Sequence, residues 1–389
     1  MIAFAAVGAV FGARIVGVGA PTVVAAPTPG STLSILAGDG NYSGVVPGPA
    51  ASSPIYYPQL LAADGLGNVF VAFESSASNR RSVVKIDESG TLSFLLNSTN
   101  ASGTPTGGTA AISSPFGYVS GLTADAAGNV YVANASNYSI CKIDTTGQLS
   151  LLAGTGTRSA SGGPLGAGAP TSVDITPSML AVSRDGSTLY FLDGRAVRIG
   201  KISAGALTTV AGNGSFGDPT PGTSGSPVLA VNSPLTGGSY DGLAVDSSGD
   251  LFTVGSNCVS MIEPTTNELT AVAGTCGVPG SPSPGPAAST SLNNVRAIAI
   301  DRYDDLYITD RSSYRIVKVT DPDSGTGTLS YVAGDGVNGA TTAGPATSVH
   351  IRGMNGLVVT RRMDVVMSED YGTRIAKVAG VPSTPDAPT

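Results

Sequence analysis

With 389 residues, 41% of them hydrophobic and only 12% charged, the chain has material for a large core and does not fit the profile of a disordered polymer. A formal net charge of -7 argues against nucleic acid as a partner, because phosphate-backbone affinity comes from clustered lysine and arginine. Fifty-three glycines and 26 prolines make it rich in turns, and the scarcity of surface charge makes attached glycans one physical route to solubility.

Residues 1–30 form an apolar segment with two competing readings. The stretch Val23-Val24-Ala25-Ala26-Pro27 resembles the small-residue cleavage site of a secretory signal. Against that stand Arg14 in mid-segment, the lack of a basic start and glycines at 8, 12, 17 and 19, which make a poor helix. The other reading is a retained arm covered by a neighbouring copy, a head-to-tail contact of the kind that generates rings or filaments. Membrane anchoring is disfavoured, since a spanning helix wants ~20 uninterrupted apolar residues.

Residues 31–380 repeat. One phrase reads GLTADAAGNVYVANASNYSICKID from Gly121, another GLAVDSSGDLFTVGSNCVSMIEP from Gly242, and related versions start at Leu60, Met179, Ala297 and Gly356. The starts are separated by 61, 58, 63, 55 and 59 residues, longer than a WD40 or kelch unit. Gly/Pro/Ser-rich stretches such as AGDGNYSGVVPGPAAS from Ala37 account for the excess. Short runs of Val, Ile, Leu and aromatic residues between turn formers predict four strands per unit. In the unit starting at Gly242 they cover Gly242 to Val245, Leu251 to Val254, Cys258 to Ile262 and Leu269 to Ala273. Turns such as Asp125-Ala126-Ala127-Gly128 join the first two strands.

The last unit, Gly356 to Ala379, ends after a third strand, whereas Thr32 to Leu36 reads as a fourth strand with nothing before it. Pairing the two completes a sixth sheet and joins the chain ends, which predicts an all-β, six-bladed propeller with four-stranded antiparallel blades. Residues 381–389 form a Pro/Thr-rich tail.

The phrases LTAVAGTCG then GPAAS, LSYVAGDGVNG then GPATS, and YITDRSSYRIVKV resemble the NHL-repeat β-propellers, in a long-repeat variety, over about residues 32 to 380. Two units depart from the pattern: Leu95-Leu96-Asn97 lacks the AGxG, and Arg361-Arg362-Met363 replaces the usual turn. The resemblance implies a protein-binding, carbohydrate-binding or, in a few members, catalytic role, and fold alone does not choose among these.

His350 is the only histidine, which argues against a His-rich metal centre, a Ser-His-Asp triad and the lyase-type members of this group, which use several histidines. A gluconolactonase-like member would hold a divalent cation in the central channel. The residues just before the inner strands, expected to ring one mouth, are Gln59, Ser120, Ser178, Asp241, Arg296 and Asn355. One carboxylate beside an arginine suits an Asp241–Arg296 ion pair better than a cation, so no metal, no cofactor and no catalytic residue is expected. Asp193 with Arg198, Asp310 with Arg315 and Glu369 with Arg374 are expected to close hairpins by charged hydrogen bonds.

Sequons at Asn41, Asn97, Asn100, Asn134, Asn137 and Asn213 fall in predicted loops or turns open to N-glycosylation. Cys258 and Cys276 flank one hairpin and are expected to form a disulfide, favouring an oxidising compartment; Cys141 is left as a small buried hydrophobe. These features together point to a secreted or cell-surface, non-catalytic propeller that binds a protein or glycan partner or further copies of itself. The alternative is a lactonase-like hydrolase with a channel metal.

Overall fold

The computed structural model describes residues 31–41, 43–74, 81–98, 107–222, 226–236, 242–370 and 372–381. Six antiparallel sheets, hereafter blades 1 to 6, follow one another around a central axis. Their inner strands are Pro58–Ala63, Val119–Ala124, Pro177–Val182, Leu243–Val245, Val295–Ile300 and Met354–Val359. Blade 4 continues outward through Leu251–Gly255, Cys258–Ile262 and Glu268–Gly274, within about one residue of the strands read from its sequence.

The ring closes as expected. The strand Thr32–Ala37 lies against Ile375–Val378, with Leu33 opposite Val378, Ser34 opposite Lys377 and Ile35 opposite Ala376. Blade 6 is therefore built from both ends of the propeller sequence. The inner strand of blade 6 also packs on that of blade 1, which brings the circle round to its start.

Five of the six sheets have a fifth strand where the sequence predicted four. The additions are two residues long, among them Gly48–Pro49, Gly285–Pro286 and Gly344–Pro345, and each lies outside the outer strand of its own blade. Blade 3 has the corresponding contact as a single bridge, Gly168 to Leu207. Proline has no N–H to offer a further strand, so it suits a sheet edge and blunts it against another chain. These segments come from the Gly/Pro-rich stretches that lengthen each repeat.

The next residue of the GPA phrase is buried and ties neighbouring blades. The Ala346 amide donates to Ser31 and its carbonyl accepts from Gly334, the glycine of VAG in blade 5, at 2.9 Å each. Ala50 does the same between Gly90 and Gly38. Gly334 has φ +88°, and a β-carbon there would stand 2.1 Å from the Tyr314 carbonyl oxygen, so conformation and space both demand glycine.

Six apolar clusters, one for each junction between neighbouring blades, make up the core. Alternation along each strand sends residues to opposite faces, and each face meets the adjacent blade. At the junction of blades 1 and 2, Phe70 and Val83 meet Phe116, Leu122 and Val132. Burying a side chain of this size stabilises by about 1.5–3 kcal/mol.

The two departures in the repeat leave the architecture whole. In blade 6 the Thr360 hydroxyl accepts the Asp364 amide in place of a carboxylate, and Met363 takes the left-handed position at φ +66° that glycine holds in blades 1, 2 and 4. After Leu95-Leu96-Asn97, the strand continues to Ser98, whose hydroxyl accepts the Phe116 amide from the following loop at 2.8 Å.

Candidate functional site

The axis has two unlike mouths: a proximal one where the inner strands begin and a distal one where they end. Side chains at the proximal mouth are tied into the scaffold. The Ser120 hydroxyl donates to the Pro177 carbonyl of the next blade at 2.7 Å, and Ser178 donates to the Leu192 carbonyl. Gln59 accepts a hydrogen bond from the Tyr118 hydroxyl, and Asn355 donates to Asp370 at 2.9 Å. Arg296 is the second residue of the blade 5 inner strand. Asp241 lies outside the described residues, so the expected Asp241–Arg296 pair does too.

Between the mouths the channel is narrow, with about 160 Å³ of space, and its wall combines inner-strand main chain with aliphatic side chains; Thr123 is the one polar side chain among the described lining residues. Leu61, Leu122, Leu180, Leu243, Ile298 and Leu357 each belong to a different junction cluster, so the inner strands serve packing first.

The distal mouth opens into a cavity of about 310 Å³. Its floor is the last residue of every inner strand: Ala63, Ala124, Val182, Val245, Ile300 and Val359. Two residues further on, each turn contributes to a collar formed by Gly65, Ala126, Arg184, Ser247, Arg302 and Arg361. The sequence reading did not single out this collar, because the flanking Asp and Gly signals account for the turns without it.

The aspartates around this mouth serve the turns. Asp64 accepts the Leu66 and Asn68 amides, and Asp301 accepts those of Tyr303 and Asp305. Both Asp304 oxygens take Ser247, one from its amide and one from its hydroxyl. In blades 1 and 2 the second turn-Asp oxygen receives an asparagine amide, Asn68 at 2.6 Å and Asn129 at 2.7 Å. Blade 4 has Asp250 at that place, and burial together with the Asp250 charge pushes the Asp246 carboxyl up to about 6. Blade 5 has Asp305 there, and buried Lys318 meets it at 2.6 Å.

On the proximal face, a groove of about 440 Å³ runs between blades 5 and 6, lined in part by Arg311, Tyr314, Asn338, Arg352 and Asp370. Arg311 and Asp370 form an ion pair in its wall.

The hairpin pairs require a correction. Asp193 does lie opposite Arg198 in register, yet the two side chains serve the main chain instead of each other. Asp193 accepts the Thr176, Arg195 and Ala196 amides, while Arg198 donates to the Gly163 and Gly212 carbonyls. Asp310 likewise accepts Asn293 and Ser313, while Arg315 donates to Gly334 and Asp335. Arg374 donates to the Thr341 carbonyl. Each arginine grips the loop that leaves an outer strand, where unpaired carbonyls are nearest.

Sequon positions divide. Asn41 and Asn213 are exposed in loops, and Asn137 is half-buried in a turn. Asn134 is a correction: it ends a strand, is fully buried and accepts the Asn137 amide, so a glycan has no room. Asn97 is also in a strand, half-buried and opposite Ser82, where a loop was expected. Asn100 lies outside the described residues. The Cys258–Cys276 disulfide is present. Cys141 is buried, and loss of hydration pushes its thiol up to about 12, which makes it inert. His350 is exposed and pairs with Asp335 at 2.7 Å.

Closed sheets, an inner-to-outer strand order and two-ended closure define the chain as a six-bladed β-propeller. No protein-family model and no curated protein sequence matches it. Solved structures do. A structural genomics protein of unknown function from Bacteroides thetaiotaomicron VPI-5482 aligns over 90% of this chain and 76% of its own, at 15% identity and TM-score 0.62. An auxiliary nutrient binding protein from the same strain aligns over 91% and 78%, at 13% identity and TM-score 0.61. Another auxiliary nutrient binding protein, from Bacteroides ovatus ATCC 8483, aligns over 90% and 77%, at 13% identity and TM-score 0.61. At such identities the likeness is one of fold.

Proposed function

We propose that this chain is a non-catalytic, NHL-type propeller that works outside the cell as a binding module, with a glycan or protein partner seated in the proximal groove between blades 5 and 6. The observation that carries the reading is the use of the proximal side chains: Ser120, Ser178 and Asn355 spend their hydrogen bonds on the scaffold, so recognition falls to the groove beside them. Guanidinium, phenol and amide groups from Arg352, Tyr314 and Asn338 line that groove and suit the hydroxyl-rich surface of a sugar. The disulfide supports an oxidising compartment. Two nutrient binding proteins among the structures of similar fold agree with a binding role.

The test is a glycan-array screen of the purified protein followed by titration of any hit against wild type and Arg352→Ala. Binding weakened about tenfold or more by the substitution supports the groove. A stoichiometric divalent cation that survives dialysis, with lactone hydrolysis that depends on it, would instead favour a lactonase-like hydrolase. Residues 1–30 lie outside the described residues, and their removal or retention is read from the intact mass of exported protein.

A further inference from the structure

The distal cavity is unlike the proximal groove in shape and lining. Collar positions in a six-fold repeat are equivalent by geometry, so identical demands would place similar residues at all of them. Blades 1 and 2 present Gly65 and Ala126, while blades 3, 5 and 6 present Arg184, Arg302 and Arg361. The collar is thus uncharged and closely packed on one side, where a β-carbon on Gly65 would stand 2.5 Å from the Ala126 carbonyl oxygen, and carries its arginines on the other, in a chain whose formal net charge is -7.

Asp64, Asp246, Asp301 and Asp304 line the same cavity, but among the described residues none of them forms an ion pair with Arg184 or Arg302. The Asp64 and Asp301 carboxylates accept turn amides, and Asp304 accepts Ser247 with both oxygens. The arginines, by contrast, hold donors in reserve. Arg184 makes one long contact of 3.5 Å to the Asp301 carbonyl, reaching past the blade that separates them. Arg302 donates to the Tyr303 hydroxyl and stacks on that ring, and Arg361 shares Glu88 with Arg362. A guanidinium has five N–H donors, so each retains capacity for a further acceptor.

We infer that this distal mouth is a second binding site, one that takes a small oxyanion, a carboxylate or phosphate group, between Arg184 and Arg302, with the carbon skeleton of its carrier resting on the aliphatic floor. Guanidinium groups match the planar pair of oxygens such anions offer, and their fixed fork gives geometric selectivity over an uncharged hydroxyl. A volume of about 310 Å³ accommodates a ligand of roughly monosaccharide size. The inference stands apart from the proximal groove and does not depend on the glycan reading.

Isothermal titration calorimetry of the full chain with inorganic phosphate, glucuronate and glucose tests it. Glucuronate is expected to bind at least tenfold more tightly than glucose, with affinity falling as salt is raised. Binding of phosphate as well assigns a general oxyanion site, whereas binding of glucuronate alone assigns an organic carboxylate. Arg184→Met and Arg302→Met should each weaken glucuronate at least fivefold, while Arg158→Met, in an exposed loop away from both cavities, leaves it unchanged. Circular dichroism melting of each variant confirms folding, and the wild-type comparison decides by itself if a variant fails to fold. Equal affinity for glucuronate and glucose, or loss of binding in the proximal-groove variant Arg352→Met with retention in both collar variants, overturns the inference.

Discussion

Cys258 in blade 4 occupies the register position that Arg315 holds in blade 5. The residue following each, Val259 or Ile316, lies opposite the alanine of a VAG phrase, Ala273 or Ala333. Arg315 fastens the departing loop through the Gly334 and Asp335 carbonyls; Cys258 fastens it covalently to Cys276, which stands where blade 5 has Gly336. A β-carbon on Gly336 would come 2.9 Å from the Arg315 guanidinium, so a side chain there and the arginine compete for one space. Removing the disulfide as Cys258→Ser with Cys276→Ser is expected to cost about 2–4 kcal/mol, given the 18-residue separation it closes. Cys258→Arg with Cys276→Gly should recover part of that loss by restoring the blade 5 arrangement. Urea unfolding under reducing and oxidising conditions measures both; a double-serine variant as stable as the oxidised wild type would count against the role.

The VAG glycine should resist substitution wherever a carbonyl crowds it. Gly334→Ala places a β-carbon 2.1 Å from the Tyr314 oxygen at φ +88°, so a loss of about 2 kcal/mol or more is expected from clash and backbone strain together. Gly44→Ala is the control, since nothing lies within 4 Å of its β-carbon and its φ is ordinary, and it should stay within about 0.5 kcal/mol of wild type. Thermal melts that rank the two alike would contradict the steric account.

Asp250 should destabilise the fold at neutral pH. It stands where Asn68 and Asn129 donate to the turn aspartates of blades 1 and 2, yet as a carboxylate it offers Asp246 a second negative charge. The Asp246 carboxyl is pushed up to about 6, above the unfolded value of about 3.9, so the folded state binds more protons between those limits. Stability from this group is therefore fullest below about pH 4 and is lost as pH rises through about 6. Asp250→Asn supplies the missing donor and is expected to stabilise by about 1–2 kcal/mol at pH 7, with the gain shrinking toward pH 4. Denaturation across that range reads it directly. A gain constant with pH would mean that the substitution acts through packing.

Ring, blade number and closure were all legible in the repeat, because second strands such as Val130–Asn134 and Leu306–Asp310 are buried on both faces and so need runs of Val, Ile and Leu between fixed turn signals. The disulfide was legible for a related reason: hairpin register sets which residues meet. Register alone misled for Asp193 and Arg198, since being opposite says nothing of nearer main-chain donors and acceptors that claim both side chains. The fifth strands were hidden because two residues carry no periodicity. Arg184, Arg302 and Arg361 went unnoticed inside turns whose aspartates and glycines seemed to explain them.

Sequons give a final discrimination between exposed and buried asparagines with the same local sequence rule. Asn41 and Asn213 lie in exposed loops, and the Nδ2 of each makes one surface hydrogen bond, Asn41 to Asp39 and Asn213 to the Asn232 carbonyl, that a glycan linkage could replace at small cost. Asn134 is fully enclosed at a strand end and its carbonyl oxygen holds the Asn137 amide, so a sugar there is incompatible with the closed blade. Expression in a secretory host that glycosylates Asn-x-Ser/Thr, followed by peptide mass spectrometry, is expected to find Asn41 and Asn213 occupied and Asn134 bare in folded protein. Asn134→Ala should then leave the glycan mass unchanged while lowering stability by about 1 kcal/mol through the lost turn contact. Occupancy at Asn134 in protein that melts cooperatively would mean that the second strand of blade 2 does not seat as described.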